Sequence, residues 1–141
     1  MFIIFRTQEW NRLNLHFNDG LEILLSLSEG DHMYINAATY PIKRGSLFVM
    51  NNTDFHRSVG DNSKQLYQFY SINFDATEVQ GVSTANYDLT ECFQDHQHFN
   101  HHCQLSSDQL DHLLKLIYRL QYYLKPDCAA EAKDVYSKIS L

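Results

Sequence analysis

Two hydrophobic periods divide this chain of 141 residues, and their order limits what it can fold into. Up to about residue 75, β-branched, aromatic and polar residues fall in short runs punctuated by Gly, Asn and Asp, the pattern of strands joined by close turns. From Ser106 the spacing becomes that of a helix. Leu110, Leu113, Leu114, Ile117, Leu120 and Leu124 recur every three or four residues, behind a Ser106 and Gln109 that fit a capping box. The chain is too short for two comfortable halves, so the prediction is one mainly β domain with α structure at its C-terminal end. Residues 1–75 are expected as the β part, 76–105 as a loop-rich connection and 106–141 as a helical segment.

Within the β part, Leu21 to Ser28 reads as a strand with Glu22, Leu24 and Ser26 on one face. Ile23, Leu25 and Leu27 form a more apolar face expected to pack on another element. Gly30-Asp31 is a turn, Met33 to Asn36 a strand, Ala37-Ala38-Thr39 a tight connection and Tyr40 to Ile42 the return. Lys43-Arg44-Gly45 turns into Leu47 to Met50. Asn51 to Asp54 is polar turn chemistry ahead of His56, and Leu66 to Phe74 is a strand covered on both sides. Many short strands with close turns suggest a sandwich or barrel. In the helical part, Lys125-Pro126-Asp127 ends the first helix and opens a second over 129–141. That second helix has no closing cap and reads as cut from something longer.

Composition narrows the function. A chain 44% hydrophobic and 20% charged is globular, and no apolar run is long enough to cross a bilayer. The opening MFIIFR is too short for a signal peptide, so a cytoplasmic protein without membrane attachment is expected. Three cysteines without zinc-type spacing read as reduced thiols. A net charge of -6 with scattered basic residues argues against binding nucleic acid through this surface.

The chemistry-bearing residues are sparse. His16, Asn18 and Glu22 are even numbers of residues apart, which places them on one face of strand-like chain, and His56 follows Gly45 by eleven residues. In a barrel that face is an interior, where all four would converge. Imidazole and carboxylate suit a divalent transition ion, so His16, Glu22 and His56 make one candidate metal set, although Asn18 is a poor ligand. The same groups serve better as the polar lining of a small-molecule pocket, since a barrel interior that mixes aromatic faces with a few aimed polar groups holds sugars and similar ligands; the plain structural alternative is a hydrogen-bonded cluster with no ligand. His96, His98, His101, His102 and Cys103 fit no structural zinc spacing and read as a solvated loop. The leucine stripe of 110–124 is either simple core or, with Tyr118, a surface pairing two copies of the chain.

These spacings resemble the two motifs of the cupins, a His-x-His-x3-Glu run and a Gly-x5-Pro-x-Gly-x2-His run, with Asn18, Asn51 and Thr53 standing at three of the motif positions. Tyr34-Ile35-Asn36, Tyr40-Pro41-Ile42, Gly45-Ser46-Leu47, His56 and Ile72-Asn73-Phe74 follow in an order that resembles the N-terminal domain of the AraC-type bacterial transcription regulators. Ser46 takes the place of the usual acidic residue. The resemblance implies a cupin-type barrel (a double-stranded β-helix, or jelly roll) followed by two helices. It implies a small-molecule effector, homodimerisation through Leu110, Leu113, Leu114, Ile117, Tyr118, Leu120 and Leu124, and DNA binding by a helix-turn-helix domain absent from this chain.

Carried over onto this sequence, the family's sugar-contacting positions fall on Asn14, Ser58, Phe69 and Ser71. None keeps the residue type found there, so the pocket's position transfers and the particular sugar does not. The expected effector site is therefore Asn14, His16, Glu22, His56, Ser58, Phe69 and Ser71, with Arg6, Tyr34 and Tyr70 as further candidates. No cofactor and no catalysis are expected in that reading. The alternative is a small metal-dependent cupin enzyme, an isomerase or dioxygenase, using His16, Glu22 and His56.

Overall fold

The computed structural model describes residues 2–7, 20–59, 68–94 and 99–124. The chain divides into two compact units, Met1–Gln104 and Leu105–Leu141. The first holds β1 (Phe2–Thr7), β2 (Leu21–Ser26), β3 (His32–Ile35), β4 (Ala38–Pro41), β5 (Ser46–Met50), β6 (His56–Val59), β7 (Phe69–Phe74), a short helix α1 (Ala76–Gln80), a 3-10 turn (Leu89–Phe93) and β8 (His102–Gln104). These strands make two antiparallel sheets, one in the order β1-β7-β2-β5-β8 and one in the order β4-β3-β6.

Register decides which side chains face one another. In the larger sheet Glu22 lies opposite Met50 on one side and Asn73 on the other, and Leu24 lies opposite Phe48 and Ser71. Directly paired residues share a face, so Glu22, Leu24, Phe48, Met50, Phe69 and Ser71 point the same way. In the smaller sheet Met33 is flanked by Tyr40 and Ser58, and Ile35 by Ala38 and His56. The two faces meet in one core of Leu24, Met33, Ile35, Ile42, Phe48, Met50 and Phe69, with Tyr40 packed against it. On the reverse face of the larger sheet, Leu21, Leu25, Tyr70, Ile72 and Phe74 are also buried, and the Phe74 ring meets Phe93 edge-on. Both faces of β2 and β7 are therefore covered. The face of β2 carrying Glu22 and Ser26 is as deeply buried as the more apolar one.

Two backbone positions fix the turns. Ile35 pairs with Ala38, so the β3–β4 connection is the two residues Asn36-Ala37, starting one residue before the expected Ala37-Ala38-Thr39 and one residue shorter. Asn36 takes a left-handed φ of 52°, which Asn tolerates better than most residues. At the entry to β5, Gly45 has a φ of 83°, a region that only glycine occupies without strain.

Three expectations need correction. The sheets are separate, and among the described residues no closed barrel is formed, because no ladder joins one sheet to the other. The connection expected as loop carries α1, the 3-10 turn and β8, and β8 extends the larger sheet by pairing Leu47 with Cys103 and Phe48 with His102. A three-residue strand is too short to show a period. The expected second helix lies outside the described residues.

The second unit contains α2 (Ser107–Tyr123), opened by the anticipated capping box, in which Ser106 accepts from the Gln109 amide and the Gln109 side chain accepts from the Ser106 amide. Leu110 and Ile117 are buried, and Leu113, Leu114 and Leu120 are half-buried. Leu116, Tyr118, Tyr122 and Leu124 are exposed. No helix among the described residues is long and apolar enough to cross a membrane.

Candidate functional site

Three of the expected site residues meet between the sheets. Glu22, delivered by the middle of the larger sheet, is 6% exposed, and His56, delivered by the smaller sheet, is 3% exposed. Their Oε2 and Nε2 atoms are 3.2 Å apart. Ser71 donates its hydroxyl to Glu22 Oε1 at 2.5 Å, and Asn73 Nδ2 donates to Ser71 Oγ at 2.8 Å. On the far side, His56 Nδ1 lies 3.1 Å from the Asp54 carbonyl. A carbonyl only accepts, so Nδ1 carries a hydrogen, and a close approach of Nε2 to a carboxylate oxygen requires a further proton between them.

This is a polarised chain running from Asn73 through Ser71, Glu22 and His56 to a backbone carbonyl. It offers donors and acceptors side by side next to the apolar core of Leu24, Met33, Ile35, Phe48 and Met50. It is not a nucleophile-activating triad, because the carboxylate and not the imidazole receives the Ser71 proton.

Asp54, which meets His56 through its backbone carbonyl, also carries a buried carboxylate that ties down the turn. Its Oδ1 accepts from Asn36 Nδ2 and its Oδ2 from the Asn51 amide, both at 2.8 Å, and His101 Nδ1 lies 3.7 Å from Oδ2. Asn36 also accepts from the Phe55 amide, while Asn51 donates to the Phe93 carbonyl. The 51–55 turn is thereby tied to β3, to the 3-10 turn and to the approach to β8.

A second polar group occupies the β4–β8 side. The His102 ring stacks on Phe48 at 4.9 Å and its Nε2 is 3.1 Å from Ser46 Oγ. Ser46 Oγ donates to Gln104 Oε1 and accepts from the Lys43 amide. Tyr40 packs its ring against both His101 and His102. Burial, and secondarily the Lys43 charge, lowers the His102 pKa, whereas burial and the Asp54 carboxylate raise that of Tyr40.

The other expected positions separate. Ser58 is buried two residues beyond His56 on the same inward face, and Phe69 belongs to the apolar core. Tyr70 is buried on the reverse face of its sheet, and Tyr34 points outward beneath the Arg57 guanidinium, 5.2 Å from the ring centre, so neither lines the interior. Asn14, His16 and Asn18, and the side chain of Arg6, lie outside the described residues. Of the metal set, Glu22 and His56 meet. Among the described residues no three His, Cys, Asp or Glu side chains gather as a metal would require. The expected solvated loop is corrected at His101 and His102, which are half-buried.

Sequence reasoning missed Asp54, Asn36 and Asn73, and the cluster of Tyr40, Ser46 and His102. The signal at 51–54 was turn composition, which reads alike for a buried turn and an exposed one. No protein-family model matches the chain, and a search of curated proteins finds no relative.

Proposed function

We propose that this chain is the effector-sensing and dimerisation domain of an AraC-type transcription regulator, built on a cupin-type β fold. Its effector is a small polar molecule of the carbohydrate or polyol class, bound beside Glu22, His56 and Ser71. The observation that carries this reading is the hydrogen-bonded chain of Asn73, Ser71, Glu22 and His56 buried between two facing sheets. A buried ionisable pair contributes less stability than apolar side chains of the same volume, so its presence asks for a role other than packing. Aromatic and aliphatic walls with a few aimed polar groups suit a guest that is apolar on its faces and hydroxylated at its edges.

The order of elements supports the family. Strands in two facing antiparallel sheets precede a capped helix, and the motif echoes fall at structural landmarks. Asn36 sits at the β3–β4 turn, Gly45 at the turn into β5, and Ile72-Asn73-Phe74 at the end of β7. In this reading the effector binds one arrangement of the domain better than another and so shifts how two copies present separate helix-turn-helix domains to DNA. Tyr118 and Leu124 on the exposed side of α2 are the helix residues best placed to pair copies, because Leu110 and Ile117 are buried within the chain.

A thermal-shift screen of neutral sugars, polyols and other small polar metabolites tests the proposal. A true effector at about a hundred times its Kd stabilises by about 2.7 kcal/mol, a rise of several degrees in Tm. Glu22→Gln should reduce that rise for the same compound. Absence of stabilisation by every compound of these classes overturns the sensor reading. Stoichiometric iron, manganese or nickel in the purified protein, lost in His56→Ala, would assign the chain instead to the metal-dependent cupin enzymes.

A further inference from the structure

Between β7 and β8 the chain leaves the sheets for an excursion made of α1 and the 3-10 turn, and it carries there the most exposed large apolar side chain among the described residues. Tyr87 is 75% exposed, and Val82 and Leu89 stand out with it. Hydrogen bonds gather the three at one end of the excursion. Thr84 and Tyr87 exchange both of their backbone bonds, at 2.9 and 3.2 Å, across the two-residue turn Ala85-Asn86. The Ser83 hydroxyl donates to the Val79 carbonyl and accepts from the Leu89 amide, which ties α1 to the start of the 3-10 turn. Asp88 caps that turn by accepting from the Thr90 amide and hydroxyl. At the base, the buried Phe93 ring meets Phe74 edge-on and the Phe93 carbonyl accepts from Asn51. The apolar tip is ordered before anything binds it, so little entropy is lost when a partner arrives.

The charge around the tip has one sign. Asp75, Glu78, Asp88 and Glu91 are exposed, and residues 75–94 contain no Lys, Arg or His. Exposed apolar side chains elsewhere have basic neighbours. Arg57 lies over Tyr34 and two residues from Phe55, while Lys115 and Arg119 adjoin Leu116 and Tyr118 on α2. The 82–89 tip differs from these in having acids alone.

We propose that the tip formed by Val82, Tyr87 and Leu89 docks a cationic segment of another protein, one that sets a large apolar side chain against Tyr87 and Lys or Arg side chains beside Asp88 and Glu91. Tyrosine offers broad contact area with few rotatable bonds and a polar edge, which suits the centre of an interface. The acids select the sign of the partner and speed encounter, and the apolar contact holds the complex. A surface of this sign repels phosphate groups, so it does not suit nucleic acid or an anionic membrane. None of its residues belongs to the Glu22–His56 cluster, and the proposal stands whatever that interior binds.

A phage-displayed library of random dodecapeptides, selected on the whole chain and counter-selected on its Tyr87→Ala variant, tests the proposal. Peptides held only by the wild type should carry net positive charge and at least one Leu, Phe, Trp or Tyr. For such a peptide made synthetically and labelled, Tyr87→Ala should raise Kd at least about tenfold by fluorescence anisotropy. Glu91→Lys should raise it at least about threefold at about 10 mM salt and leave it unchanged at about 1 M, as the Debye length shrinks from about 30 to about 3 Å. Both side chains are exposed, so each variant should keep the wild-type urea midpoint. Recovery of no peptide that depends on Tyr87, of peptides without net positive charge, or of a Glu91→Lys effect indifferent to salt would overturn the proposal.

Discussion

The Glu22–His56 pair makes a sharp energetic prediction, because its partners are worth different amounts when removed singly and together. In His56→Leu the carboxylate loses the imidazole at 3.2 Å while staying between two packed sheets. Breaking a buried ion pair from one side costs about 3–5 kcal/mol, roughly 10–20 °C in Tm for a chain of this size. Glu22→Gln keeps an acceptor for Ser71 and supplies an amide donor to a neutral His56, so it should cost about 0.5–1.5 kcal/mol. The double variant buries a poorly paired amide in place of a poorly paired carboxylate, at about 1–3 kcal/mol. Adding Glu22→Gln to His56→Leu should therefore recover about 2 kcal/mol, read as a higher urea midpoint at neutral pH with an unchanged m-value. His56→Leu alone should also gain stability as pH falls, since protonation neutralises the carboxyl left in the interior. A double variant no more stable than His56→Leu, or a single variant indifferent to pH, would refute the view that charge burial governs this site.

Three further outcomes follow from local geometry. Gly20→Ala places a Cβ 2.6 Å from the Phe74 carbonyl oxygen, where only backbone can give way, and should cost about 1–3 kcal/mol in denaturant unfolding. Asp54→Asn exchanges one acceptor oxygen for a donor in a turn where Asn36 and the Asn51 amide both need acceptors, a loss of about 1–3 kcal/mol by the same measurement. Ser106→Ala removes the acceptor of the capping box and should lower helix stability by about 1 kcal/mol, seen as lower far-ultraviolet helical signal on warming.

What the sequence disclosed about the fold tracks the length over which a pattern repeats. The helix was plain because α2 presents its apolar positions over seventeen residues behind a two-way cap. The strands between Leu21 and Phe74 were readable because turn residues bracket each one, yet the β3–β4 turn was displaced by a residue. Asn36 supplies the left-handed position there, and two alanines on either side of the true boundary give no alternation to place it. The grouping of strands into two sheets is not a periodic property at all. It depends on which edges stay unpaired, and that is set by register between segments distant in the chain.

The site divides along the same line. Glu22 and His56 could be matched because even spacing along strands keeps polar residues on one face, and the register of β2 with β7 and of β3 with β6 carries that parity across the core. Ser71 was expected only from the family resemblance, and the structure brings it to Glu22 because it is the residue of β7 directly beside Leu24, on the face that also bears Glu22. Tyr34 and Tyr70 were misjudged by one position of parity, since residue type alone does not say on which side of a strand an aromatic ring lies. Asp54 escaped for a different reason. Its carboxylate binds turn groups while its carbonyl receives His56, so one residue joins the interior pair to the turn that meets His101 ahead of β8. That role belongs to a backbone atom and a side chain at once. It becomes visible only when the three-dimensional neighbours of both are known.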